Sequence, residues 1–232
     1  MDTSEWTQSS LVLPKQNTTD GVDACYMDQY DGRIYFYGGS LKYRVYVGGN
    51  PGSELSVSTG LGGAFVDIEP GSGQEIRKVL KFRTYNGATV VTLLTYHHNT
   101  NQSSRYNLLE TEITVTNEYT SKGYTYEKVD NVIGVSSYYG ADTFIDGLYA
   151  VNRYGLAFTT QAQEHQDVLR VMYASDAIKP LFESLKGYQI NNSRLLCVKD
   201  TIYIILAKEE HPANSSILLE NYILCFDTTM KT

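Results

Sequence analysis

The apolar residues of this chain fall in short runs. The densest lie between Asn192 and Thr229: Leu195-Leu196-Cys197-Val198, then Ile202-Tyr203-Ile204-Ile205-Leu206-Ala207, then Tyr222-Ile223-Leu224-Cys225-Phe226. Each has the length and the β-branched and aromatic content of a single strand. Lys199-Asp200 reads as a tight turn, and the polar Lys208 to Ser216 as a loop before the third run. None of the three alternates cleanly between apolar and polar positions, which predicts strands covered on both faces. Antiparallel strands joined by short turns, yet covered twice, call for stacked sheets.

The same rhythm runs through the rest of the chain. Leu11-Val12-Leu13 ahead of Pro14 reads as a short edge strand. Ala24 to Met27 and Arg33 to Tyr37 flank Asp31-Gly32, a hairpin signal. Tyr43 to Val47 and Leu55 to Ser58 complete a first meander. After the glycine-rich Gly60 to Gly63 come Ala64 to Ile68, then Ile76 to Thr84 and Ala88 to His97 around the Asn86-Gly87 turn, then Arg105 to Thr116 and Tyr124 to Val129. Gly147 to Asn152 and Gly155 to Thr159 form a third pair, followed by Val168 to Ala174. Ser175 to Leu185 reads as a short helix capped by Ser175 or Asp176, with Pro180 in its first turn.

These units, about 20–60, 63–130, 132–185 and 190–232, have the spacing of propeller blades. The expected fold is all-β: one domain over 1–232, a β-propeller-like array of about four antiparallel four-stranded blades, or part of a larger ring. A β-sandwich is the alternative with the same rhythm. The last unit stops a strand short. Two explanations fit: residues 1–14 supply the closing strand, or the chain is a fragment of a longer one.

Composition narrows the functional classes. Of 232 residues, 42% are hydrophobic, enough for a sizeable core, and 19% are charged. Twenty tyrosines suit strand surfaces and interfaces, where the ring packs and the hydroxyl stays wet. A net charge of −7 without a basic run argues against a broad or sequence-specific nucleic-acid surface. Cys25, Cys197 and Cys225 are too few and too far apart for a disulfide framework; Cys197 and Cys225 read as reduced core residues. The polar start Met1 to Trp6 is unlike a signal peptide, and no run is long enough to span a membrane. The sequons at Asn17, Asn101, Asn191 and Asn214 read as chance, and the chain as made in a reducing cytoplasm.

Chemistry-bearing patterns are sparse. His97 and His98 are adjacent on a strand and point to opposite faces, so they read as polar residues beside a loop. Glu209-Glu210-His211 reads as a solvated loop. Asp23, Asp28 and Asp31 cluster around a hairpin without the ligand spacing of a calcium loop. Gly71-Ser72-Gly73, like Gly60 to Gly63, reads as a linker. Gly-x-Ser-x-Gly, phosphate-loop, dinucleotide and Cys-x-x-Cys motifs are absent. The reading assigns no catalytic, cofactor-binding or metal residue, and expects a protein that is not an enzyme and carries no cofactor.

Gly147 to Leu156, followed by Val168 to Ala174 and Ser175-Asp176-Ala177-Ile178-Lys179-Pro180-Leu181-Phe182, resembles the propeller core of tailed-phage virion proteins. Arg194 to Ala207 with Tyr222 to Thr229 resembles the next blade. The family is that of tail hub, stabilisation and tail-tube nozzle proteins of short-tailed phages, and the likeness covers about residues 145–230. It implies a virion structural protein made in the host cytoplasm. Copies would form a symmetric ring below the portal, bound to portal, adaptor or other tail proteins, around the DNA exit channel. Two other classes fit less of the sequence. Ile34 to Tyr37 ending at Gly38-Gly39 matches one Kelch-like strand, as in a protein-binding propeller. A glycan-binding or glycan-hydrolysing propeller would carry a Ser-x-Asp-x-Gly-x-x-Trp box, which the sequence lacks.

Overall fold

A computed structural model describes residues 24, 26–57, 61–83, 89–115, 119–144, 147–160, 172–207 and 221–227. They form an all-β protein of four antiparallel sheets, each a meander of strands consecutive in the chain. The first sheet holds β1 (Tyr26–Tyr30), β2 (Arg33–Tyr37), β3 (Arg44–Val47) and β4 (Ala64–Asp67). The second holds β5 (Gln74–Arg83), β6 (Thr89–His97), β7 (Ser103–Val115) and β8 (Tyr119–Asp130). The third holds β9 (Ala141–Phe144), β10 (Gly147–Asn152), β11 (Gly155–Thr160) and β12 (Met172–Tyr173). The fourth holds β13 (Arg194–Val198), β14 (Thr201–Ala207) and β15 (Asn221–Asp227). Between β12 and β13 lie a 3-10 turn (Asp176–Ile178), α1 (Lys179–Ser184) and α2 (Gly187–Asn191).

The hairpins follow their turn chemistry. Asp31 and Gly32 both have positive φ, at 51° and 73°, as the two-residue turn of a twisted hairpin requires. Arg83 pairs with Thr89 across the Asn86-Gly87 position, which itself lies outside the described residues. Pro180 sits in the first turn of α1, where no backbone donor is missed. Ser175 precedes the 3-10 turn without capping it. Its hydroxyl oxygen instead accepts from Leu156 N at 2.9 Å, tying the helical segment to β11.

Three junctions hold the sheets in a row. Tyr35, Val45 and Val66 of the first sheet pack on Val79, Leu93 and Tyr106 of the second. Leu80, Phe82 and Leu94, on the second sheet's other face, meet Leu148 and Ala150 of the third. Val151 and Leu156 then join Phe182, Ile190, Ile202, Ile204 and Leu206. The two middle sheets are therefore covered on both faces. Phe36 and Tyr46, on the outer face of the first sheet, lie under the chain's own loop at Val57.

The fourth sheet departs from expectation. Leu195, Ile202, Ile204 and Leu206 are buried on one face, but Leu196, Val198 and Ile223 on the other are 51%, 43% and 61% exposed. The C-terminal runs are covered once, not twice. Their outward positions are as apolar as their inward ones, so the run pattern looked alike for a covered and an open face.

Three boundaries also move. The fourth strand of the first sheet is Ala64–Asp67, paired with β3, and Leu55 to Val57 are loop. Arg33 helps explain this: its guanidinium donates to the carbonyls of Gly48 and Gly62 and to Asn50 Oδ1, tying the residues that follow β3 to those that precede β4. Strand β9 and helix α2 were not expected from the sequence. The third sheet has its four strands, with β12 standing for the Val168 to Ala174 run. The N-terminal strand around Trp6 to Leu13 lies outside the described residues, as do Glu209-Glu210-His211, Asp23 and Cys25.

A candidate interaction surface where the first strands converge

The first strand of each sheet packs on the first strand of the next: β1 on β5, β5 on β9, β9 on β13. Two ion pairs fix the sense of the first two. Lys78 Nζ lies 2.9 Å from Asp28 Oδ1, and Lys81, three residues further along β5, pairs with Asp31, three residues further on and just past the end of β1. Advancing together means running side by side in the same direction. The same holds for the last two, since Tyr139, on the approach to β9, forms a parallel bridge with Arg194, and Leu195 N donates to Tyr139 O at 2.9 Å.

Along this seam a set of half-buried polar side chains, Asp28, Lys78, Asp142 and Cys197, lies between the buried apolar ones. Asp28 accepts from the Tyr37 hydroxyl at 2.7 Å as well as from Lys78. Burial, then the neighbouring carboxylate, keeps the Tyr37 phenol protonated far above its ordinary range, so it acts as a fixed donor. On β9, burial raises the Asp142 carboxyl above its usual value, against the opposing pull of the Thr143 N–H and Lys78. On β13, burial and then Asp142 push the Cys197 thiol up to about 12, so at neutral pH it is not a nucleophilic thiolate. These are the groups of a structural seam: donors fixed as donors, and a thiol held protonated.

At the starting end of the four strands the seam opens into an aromatic and arginine surface. Tyr26 stacks on Tyr138 with 3.7 Å between ring centroids and meets Tyr139 edge-on at 5.9 Å. Arg194 lies over the Tyr139 ring at 5.2 Å, and Arg77 spans Tyr138 at 4.7 Å and Tyr96 at 5.8 Å while pairing with Glu75. Arg153 and Tyr154, in the β10–β11 turn, come within electrostatic reach of Tyr96. Tyr139 and Tyr154 are more than half exposed, at 53% and 56%. Gly38 belongs here too: with φ 79° it passes so close to Tyr26 that an added Cβ would sit 2.6 Å from that ring. Aromatic rings and guanidiniums at a rim are what protein interfaces use.

The polar residues singled out from the sequence divide. Asp28 and Asp31 join the seam, each facing a lysine. His97 caps its own turn: Nδ1 accepts from Asn99 N and Thr100 N, both at 3.2 Å, and His98 is exposed beside it. Cys197 is half-buried, but Cys225 is exposed and is not a core residue, because it lies on the open face of the fourth sheet. Among the described residues, no three His, Cys, Asp or Glu side chains are grouped as a metal would need. A cleft of about 340 Å³ between the first two sheets is lined by Arg33, Tyr35, Glu110 and Tyr124. The Tyr124 phenol there is raised to about 12, chiefly by burial, and stays protonated.

Sequence reading did not single out Tyr26, Tyr138, Tyr139, Arg77 or Arg194, which come from four separate segments. No helix among the described residues is long and apolar enough to cross a membrane. No family model matches the chain, and no curated protein is similar to it at a significant level.

Proposed function

We propose that this chain is a non-catalytic structural protein, a propeller-like array of blades that assembles with further copies and neighbouring subunits in a phage tail. The observation that supports it is the row of first strands, β1, β5, β9 and β13, packed in sequence order. A meander whose first strand always lies innermost is the layout of a blade. The half-buried polar side chains of these strands, Asp28, Lys78 and Asp142 among them, then line an axis between the buried apolar ones, and outer strands pack blade on blade, as β4 does on β8.

The open face of the fourth sheet bears on this in two ways. It removes the twice-covered C-terminal runs as a ground for the reading, so a ring closed by these four sheets alone is not part of the proposal. It also leaves an apolar sheet face in water, which in a structural subunit is where another body sits. The tail role itself, with its portal and adaptor partners and DNA exit channel, rests on the resemblance over residues 145–230. Of that pattern, the strand, turn, strand and Pro-Leu-Phe helix of Gly147 to Phe182 are the part that the open face leaves intact.

Electron micrographs of the purified chain, alone and mixed with portal and adaptor proteins, test the proposal. Rings or portal-bound caps are expected. A lone globule under both conditions would end the tail reading, and turnover of any sugar substrate would replace it with an enzymatic one.

A further inference from the structure

Among the described residues the fourth sheet has three strands, and each of the other sheets has four. Its outer strand, β15, pairs along its whole length with β14 and with no other described strand. Every second N–H and C=O of β15 is therefore turned away from its sheet, an edge that folded proteins pair, cover or blunt. The core thins on the same side. Ile202, Ile204 and Leu206 of β14 are buried, whereas Leu224 and Phe226, beside them on the inward face of β15, are only partly buried. One further strand along β15 completes both the ladder and the cover.

The sense of that strand follows from the topology. β13, β14 and β15 alternate in direction, so β15 runs with β13, and β13 starts at the end where β1 starts. A strand laid antiparallel on β15 leaves the sheet at that same end. Tyr26, which opens β1, is already there. Its ring meets Tyr139 at 5.9 Å, and Leu195 N of β13 donates to Tyr139 O at 2.9 Å. A segment that finishes beside Asn221 thus emerges close to the place where β1 begins.

The residues ahead of β1 suit this slot. In an extended Leu11-Val12-Leu13, the two leucines share one face and the valine takes the other. The leucines match the inward side, where Leu224 and Phe226 need cover. Pro14 follows, and proline is tolerated on edge strands, where no ladder donor is missed. The slot lies about 14 Å from β13, three strand spacings away. The ten residues Lys15 to Ala24 reach about 33 Å when extended, enough for that step and the crossing past Tyr139.

We infer that Leu11 to Leu13 form the fourth strand of the last sheet, antiparallel to β15 of the same chain. Backbone bonds then tie the two ends of the array together. The outer face with Leu196, Val198 and Ile223 stays open to another body. A second copy's segment has the same bonding groups, but the nearness of Tyr26 to β13 within one chain gives the chain's own segment the higher effective concentration. Nothing in this pairing depends on a role in a phage tail.

Hydrogen exchange on the full chain, read residue by residue by NMR at two protein concentrations, tests it. In the wild type, amides within Leu11–Leu13 and the β15 amides turned away from β14 are expected to exchange about tenfold or more below open-chain rates. L11D/L13D is expected to return both sets to open-chain rates while the amides of β6 and β7 keep their protection. Val12→Asp, on the open face, should change them little. Open-chain exchange of either set in the wild type overturns the assignment whatever the variants do. So does undiminished protection of β15 in L11D/L13D. Protection that appears only as protein concentration rises overturns the same-chain strand in favour of one donated by a second copy.

Discussion

Lys78 of β5 reaches across to Asp28 of β1, 2.9 Å from Nζ to Oδ1, and the same carboxylate takes the Tyr37 hydroxyl at 2.7 Å. One side chain therefore ties the first strand of one sheet to the first strand of the next and to its own neighbour β2. Asp28→Ala leaves the buried Tyr37 hydroxyl and the largely buried Lys78 ammonium without this acceptor. It should cost about 2–4 kcal/mol in urea unfolding, whereas Lys78→Met, which keeps the Tyr37 bond, should cost about 1 kcal/mol. Equal small losses for both would mean that solvent already screens the seam.

Arg33 is the staple that sets where the first sheet ends. Its three bonds, at 2.8 to 2.9 Å, hold Gly48 O, Gly62 O and Asn50 Oδ1. Arg33→Met removes the donor and strands two carbonyls, a loss of about 2–4 kcal/mol. Hydrogen exchange should quicken in residues 48–57 while β6 and β7 keep their protection. Uniform quickening would show that the loop does not open on its own.

The two described cysteines should separate cleanly in alkylation. Cys225 is exposed, and Cys197 is half-buried with its thiol raised to about 12 by burial and Asp142. Iodoacetamide at about pH 8 should label the Cys225 peptide well before the Cys197 peptide in the native protein, and Cys225→Ser should leave Cys197 as slow as before. Mass spectrometry of the peptides reads this out directly.

Asp142 gives a pH dependence with a definite sign. Burial holds its folded carboxyl above the ordinary value of 3.8. Between that value and the raised one, the folded state binds the proton more tightly than the unfolded chain. The associated stability is fully present at lower pH and is lost as pH rises through the raised value. Asp142→Asn removes the loss and keeps an acceptor for the Thr143 N–H. The variant should melt above the wild type at about pH 7 and converge with it near about pH 4. A variant that melts lower at neutral pH would mean that the attraction of Lys78 outweighs burial.

What could be read from the sequence was local. The β1–β2 hairpin announced itself because Asp-Gly meets the positive φ of its turn, and the β13–β14 turn because Lys199-Asp200 interrupts two apolar runs. Strand β4 was assigned to the wrong sheet because Arg33 acts on carbonyls 15 and 29 residues away, a tie no local pattern records. Strand β9, Ala141-Asp142-Thr143-Phe144, has little strand character and exists through its pairing with β10. The Tyr26, Arg77, Tyr138 and Arg194 surface was hidden for a similar reason. Its members are far apart in the chain and meet only because four strands start at one end.

The open face of the fourth sheet is the sharpest error of the sequence reading and gives the most direct test. Ile204 and Ile223 both sit in apolar runs of the same sheet, on opposite faces. Ile204 is 2% exposed against Ile202 and Phe182, while Ile223 is 61% exposed. In the isolated chain, Ile204→Ala should cost about 2–5 kcal/mol, the loss of buried contacts plus a cavity. Ile223→Ala should cost no more than about 0.5 kcal/mol. Urea unfolding at low protein concentration measures both. Once copies or partners cover the face, the Ile223 substitution should begin to matter, so its cost should grow with protein concentration if another copy sits there. A large cost at Ile223 in the monomer would mean that the sheet is covered from within the chain, and the reading of its outer face as an assembly surface would fall.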